Sequence, residues 1–218
     1  MLMDLIKLDG IGYLMESSKH KILSTAYLAP IGYYSILMKY PNSEIEQFEY
    51  FIKQSIRNRC NIYGANGKLR LTVPKERNRS SKTLIKDIRV SYETDWQKIH
   101  WKSISSAYQS SSYFEFYEHL LYPLYAKKVK FLLDLNMKLQ KIIFDCLQSK
   151  DQSSLTTKFD NNINKENLRK FNFNLSNQLA YKQVFENKFG FIPNLSILDL
   201  LFNLGPESNQ YLNNVQNL

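Results

Sequence analysis

Around Gly64-Ala65-Asn66-Gly67 the sequence is patterned as two extended strands. Before the turn, Gln54, Ile56, Asn58, Cys60 and Ile62 share one parity, and Ser55, Arg57, Arg59 and Asn61 share the other. After it, Leu69, Leu71 and Val73 alternate with Lys68, Arg70 and Thr72. Period-two alternation on both sides of a glycine-containing turn predicts a β-hairpin, with residues 55–63 pairing antiparallel to 68–73. One face is mostly apolar and carries Cys60; the other is basic, with Arg57, Arg59, Lys68 and Arg70. Pro74 then ends the second strand, because proline has no N–H to give a ladder.

Other segments extend this nucleus. The apolar run 22–29 predicts a buried strand, Pro30 leads into a helix, and Leu84, Ile88 and Val90 suggest a third strand over 83–92. From Thr94 or Asp95, either a suitable cap, Trp96, Ile99, His100, Ser103, Ile104 and Ala107 form one helical stripe. An aromatic helix follows, kinked or ended at Pro123, and then a helix with Leu132, Leu135, Leu139, Ile142, Ile143 and Cys146 inward. Residues 148–180 are rich in Asn, Ser, Lys and Gln and show little apolar periodicity, which suggests a linker, excursion or flap, with 149–170 the least contacted part. The closing stretch regains order in a capped helix carrying Leu195, Leu198, Leu201 and Phe202, closed by Gly205-Pro206. The expected fold is α+β, a small antiparallel sheet containing a central hairpin and packed with several helices. It divides into a main body (1–148), a polar excursion (149–180) and a C-terminal helical segment packing back on the body (181–218).

Composition narrows the functional classes. With 218 residues, 44% of them hydrophobic, the chain has ample material for a packed core. No run of about 18 apolar residues marks a membrane span. The leader lacks the pattern of a secretory signal, and two cysteines are too few for a disulfide scaffold, so a reducing cytoplasm is expected. Residues 151–218 hold as many acidic as basic side chains, so the net charge of +9 belongs to the first two thirds. Such a surplus suits a phosphorylated small molecule, nucleic acid or an anionic surface, or no more than a solvated exterior. There is no phosphate-binding glycine loop, nucleophile-elbow sequence or internal repeat. The three scattered histidines make no metal shell, and no cofactor is implied.

The blocks "YLAPIGYYSIL", "KQSIRNRCNI.GANG...LTVP", "IKDIRV", "W.KIHWKSI.SAY..S.YFEFYE" and "F.PNLSILDLLFNLGPES..YL" resemble, in order, those of the WbqC-like proteins, from about residue 23 to about residue 214. Where that pattern is expected to have Pro and Glu in its first block, this chain has Ala29 and Gly32. Members are associated with bacterial surface-polysaccharide loci, notably O-antigen clusters. The resemblance therefore implies cytoplasmic modification of a sugar precursor without fixing a reaction.

Cys60 has two readings: a small buried strand residue, or a nucleophile whose thiolate is favoured by nearby Arg57 and Arg59 and which accepts an acyl group. His100 is either a hydrogen-bonded core residue or the base of a Cys-His pair, with Asp87, Asp95 and Asn58 as candidate third members. The basic face of Arg57, Arg59 and Arg70, with Asn58 beside it, is either solvated surface or a phosphate-binding ribbon suited to a nucleotide sugar, and Tyr27 and Trp101 either pack or stack on a ligand. Three functional hypotheses stand: acyl or aminoacyl transfer from an acyl donor to a nucleotide-linked amino sugar, noncatalytic binding of such an anionic ligand, or nucleic-acid binding.

Overall fold

The computed structural model describes residues 20–77, 82–159, 166–175 and 178–215. The leader reading for residues 1–19, and part of the reading for 149–180 (160–165 and 176–177), lie outside the described residues.

The fold is mixed α+β, and the described residues form two separate sheets. Strand β1 (Lys21–Ser24) runs into helix α1 (Ile31–Lys39), and the chain returns parallel to it as β2 (Glu44–Glu46). Parallel neighbours need such a crossover, and they are buried on both faces, which explains why this stretch reads as an apolar run rather than an alternation. The ladder stops at Ser24, short of the predicted 29. Beyond it Leu28 takes a left-handed φ of 43° before α1 begins. The hairpin forms the second sheet: β3 (Arg59–Gly64) pairs antiparallel with β4 (Gly67–Thr72), from Arg59↔Thr72 to Gly64↔Gly67. Its turn places Gly67 at φ 91° while Ala65 and Asn66 keep negative φ, so the glycine absorbs the left-handed step.

Two strand expectations are corrected. Residues 55–58 form turns rather than the start of β3, so Arg57 does not lie on the strand face. Residues 83–92 form no ladder. They hold a single 3-10 turn (Ile85–Asp87) and isolated bridges from Leu84, Arg89 and Val90. The buried residues there, Ile85, Ile88 and Val90, are spaced three and then two apart, which satisfies a turn better than a pleat.

Helix α2 (Trp96–Tyr108) lies on β3 and buries Trp96, His100, Ile104, Ala107 and Tyr108. Ile99, placed on this stripe by the sequence, is 58% exposed, because the inward face follows steps of four from Trp96. Helix α3 (Phe114–Ala126) accommodates Pro123 in its last turn and does not end there. Helix α4 (Leu132–Cys146) buries Leu132, Leu135, Leu139, Ile143 and Cys146. The polar stretch that follows supplies both outer members of the parallel sheet. Strand β5 (Ser154–Leu155) joins β2 and β6 (Glu166–Asn167) joins β1, giving the order β5-β2-β1-β6.

After the short helix α5 (Glu186–Phe189), Ser196 caps α6 (Ile197–Leu204) by accepting the Leu198 N–H at 3.3 Å. Leu195, Leu198, Leu201 and Phe202 are fully buried, each contributing roughly 1.5–3 kcal/mol of burial free energy. Asp199 on α6 ties the layers together. Its carboxylate accepts from the Tyr108 hydroxyl at 2.9 Å, the Tyr181 hydroxyl at 2.6 Å and the Gln183 amide at 2.7 Å. Gly205 then turns the chain at φ 55°, with the Tyr113 ring so close that no side chain fits, and α7 (Glu207–Asn214) packs on α1.

Candidate anion-binding cleft at Arg59 and Cys60

A cleft of about 250 Å³ opens where the hairpin meets the segments 171–174 and 194–196. From β3 it receives Arg59, Cys60 and Asn61, from β4 Lys68, and from the facing segments Asn172, Asn174, Asn194 and Ser196. The cross-strand register explains the share of Arg59, Asn61 and Lys68, which lie on one face of the hairpin, whereas Cys60, opposite Leu71, belongs to the other face. Backbone bonds fix the opposite wall: Ser196 N–H donates to the Asn61 carbonyl at 2.8 Å, and Ile197 N–H to Ala29 at 2.9 Å. Leu28, held at positive φ, also borders the cleft, and the Ser196 hydroxyl donates to its carbonyl at 2.9 Å. Backbone strain of this kind costs about 1–3 kcal/mol and clusters at functional sites.

Two features give the cleft its chemistry. Among the described residues Arg59 Nε is buried without a hydrogen-bond partner, so an arginine donor and the Lys68 charge meet in one concavity. The four asparagines add amide groups that both donate and accept, the combination a polyhydroxylated ligand requires. Gly32 makes the arrangement possible: a Cβ at that position would come within 2.4 Å of the Phe173 carbonyl oxygen, so an acidic side chain there has no room while 171–175 lies as it does.

Cys60 lines the cleft but is 5% exposed, and burial pushes its thiol well above the usual range. Behind it, the Tyr27 hydroxyl is hydrogen-bonded to both His100 Nδ1 and the Tyr125 hydroxyl, each at 2.9 Å. Burial lowers His100 to a pKa of about 4, opposed in part by the Thr72 carbonyl beside its ring. The imidazole is therefore neutral at pH 7, and Tyr27, rather than Cys60, holds its Nδ1.

The remaining sequence candidates are dispersed. Arg57 is 2% exposed and grips Glu49 with a two-pronged ion pair, Nε to Oε1 at 2.7 Å and Nη2 to Oε2 at 2.6 Å. Asn58 exchanges bonds with Val73 at 2.9 Å. Arg70 is exposed on β4, opposite Asn61, and Trp101 packs among the rings of Phe114, Tyr122 and Tyr125. Asp87 lies in the 3-10 turn and Asp95 precedes α2, neither hydrogen-bonding His100. Sequence reasoning missed the asparagine wall. The signal was present in Phe171-Asn172-Phe173-Asn174-Leu175, a strict alternation in which Phe173 and Leu175 are buried and the asparagines face the cleft.

Comparison with known proteins identifies the lineage. The model of the WbqC-like protein family matches residues 25–179 and 160–211. The chain belongs to the WbqC-like family. It is also 25% identical, over 228 aligned positions, to the uncharacterized protein Rv1507c of Mycobacterium tuberculosis, an alignment covering 89% of this chain and 97% of that one. No solved structure matches. Among the described residues no helix of this WbqC-like protein is long and apolar enough to cross a membrane, and no cluster of His, Cys, Asp or Glu is arranged to hold a metal ion.

Proposed function

We propose that this protein acts in the biosynthesis of a surface polysaccharide of O-antigen type, on a phosphorylated sugar precursor held in the Arg59 cleft. The observation that carries the reading is the unpartnered Arg59 Nε, buried beside Lys68 and faced by asparagines. A buried donor without an acceptor costs about 1–3 kcal/mol, which a phosphate oxygen would recover. The asparagine amides suit the hydroxyls of the attached sugar.

The reaction we favour is transfer of an acyl or aminoacyl group to an amino sugar carried on a nucleotide. In its covalent form the Cys60 sulfur displaces the donor's carrier group to form a thioester, losing its proton to the departing group. The sugar amine then takes the acyl group, and a proton returns to the thiol. The surroundings support the binding half of this reading more strongly than the covalent half, since burial holds the thiol protonated and Tyr27 occupies His100. Direct attack by the sugar amine on a donor bound beside Cys60 needs neither group ionised.

Isothermal titration with glucosamine 1-phosphate tests the site. Binding by the wild type and a loss of at least tenfold in Arg59→Ala, with unchanged melting temperature, is the expected result. Equal affinity in both proteins would remove the cleft from the account.

A further inference from the structure

The carboxyl ends of the parallel strands carry a second polar centre, which no part of the sequence reading anticipates. Ser24 ends β1 and Thr25 follows it, Glu46 ends β2, Thr156 follows β5 and Arg169 follows β6, all of them buried. Two ion pairs organise the group. Arg57 is forked onto Glu49 and also donates from Nη2 to the Arg169 carbonyl at 3.1 Å. Arg169 Nη1 reaches Glu46 Oε2 at 3.3 Å, while its Nε donates to Asn167 Oδ1 at 2.9 Å. Glu46 is wholly buried, and its other oxygen accepts from the Thr156 hydroxyl at 3.1 Å and the Phe48 N–H at 2.7 Å. Buried ion pairs add little net stability compared with apolar packing, so stability gives this arrangement a weak rationale.

A cleft of about 430 Å³ opens over these pairs, inside the roughly 300–1,000 Å³ span of small-molecule sites. Glu49 and Arg169 line it, Lys170 adds a positive charge beside the two ion pairs, and Tyr50 and Phe159, residues 55% and 48% exposed, border it. Phe159 is itself braced by the Arg169 guanidinium at 4.6 Å from its centroid. The topology points to the same place. The chain adds β2 and then β5 to one side of β1 and β6 to the other, and open parallel sheets bind ligands beyond the strand carboxyl ends where the order reverses.

We propose that this cleft binds the nucleoside phosphate end of a nucleotide. The base lies against Tyr50 and Phe159 and donates from its polar edge to the Glu49 carboxylate, which Arg57 holds in place. The phosphate sits on Lys170. Exposed aromatic rings, the fixed Glu49 carboxylate and the Lys170 cation suit a planar, hydrogen-bonding base with an anionic tail better than a bare sugar or an inorganic ion. The two clefts draw on neighbouring stretches of chain: Ile56 and Phe171 line the Arg59 cleft, Arg169 and Lys170 line this one, and Arg57 donates to the Arg169 carbonyl. The assignment deepens the proposed function by giving the nucleotide that carries the acceptor sugar its own subsite, and it rests on that reading only for the identity of the complete ligand.

The test uses UMP and AMP as probes on the full chain, followed by isothermal titration, with glucosamine 1-phosphate run in parallel. At least one nucleotide binds the wild type, Phe159→Ala and Tyr50→Ala each weaken it at least fivefold, and Lys170→Ala weakens the nucleotide but not its nucleoside. Glucosamine 1-phosphate affinity stays unchanged in all three variants, and Arg59→Ala retains the nucleotide. The three positions are on the protein surface, and melting temperatures within a few degrees of wild type confirm folding. Absence of UMP and AMP binding up to 10 mM overturns the assignment, as does nucleotide binding that falls with Arg59→Ala but not with Phe159→Ala. Loss of sugar phosphate binding alone would instead remove the Arg59 site and leave this one standing.

Discussion

Acidification and the substitution His100→Gln should reveal the buried imidazole as a stability switch. In the folded protein His100 has a pKa of about 4, against about 6.5 in an unfolded chain, because burial disfavours the charged ring. As pH falls below about 6.5 the unfolded chain takes up a proton that the folded state refuses, so stability is lost until the folded pKa is passed. A depressed histidine therefore contributes its full stability above the unfolded value and loses it between pH 6.5 and 4. At 1.36 kcal/mol per unit, the shift corresponds to about 3 kcal/mol. The variant lacks this titration but loses native hydrogen bonding around Tyr27, so it starts out less stable at pH 7.5 by about 1–3 kcal/mol. Urea unfolding of both proteins from pH 7.5 to 4.5 provides the assay. The wild-type advantage should shrink steadily as pH falls, by about 1.4 kcal/mol per unit once below 6.5. A constant gap across that range, or a folded-state NMR titration of His100 near 6.5, would refute the reasoning.

Arg57→Ala should destabilise the fold by about 3–5 kcal/mol, because it strands the buried Glu49 carboxylate, whereas Arg59→Ala should cost under about 1 kcal/mol; urea unfolding compares them. Both thiols should resist alkylation in ligand-free protein at pH 7.5, since burial pushes Cys60 upward and Cys146 to about 12; rapid mass-spectrometric labelling of Cys60 would instead mark an activated nucleophile. Gly32→Ala should destabilise by roughly 1–3 kcal/mol, because the new methyl meets the Phe173 carbonyl, and should also weaken ligand binding by moving Asn172 and Asn174; an unchanged melting curve would contradict the close approach.

The elements legible in the sequence were those whose patterns are local. The hairpin, the stripes of α2 and α4 and the capped α6 each declare a period of two or about 3.6 within one segment. The parallel sheet was not legible. β1 is a four-residue buried strand without alternation, and β5 and β6 are two residues each, paired to strands more than a hundred residues earlier. The same distance hid the buried ion pairs: Arg169 meets Glu46 across 123 positions, and only the sheet brings them together. At the site, alternation put Arg59 and Lys68 on one face correctly, yet it extended the strand back through residues 55–58 and so placed Arg57 on that face. In fact the turn there sends the Arg57 guanidinium to Glu49.

An NMR titration of the full chain with glucosamine 1-phosphate tests the central claim most directly, because amide shifts report where a ligand sits without requiring a known reaction. The account predicts saturable shifts concentrated at Arg59–Asn61, Lys68, Asn172–Asn174 and Asn194–Ser196, abolished in Arg59→Ala. Shifts confined to other surfaces, or none at 10 mM ligand, would contradict it.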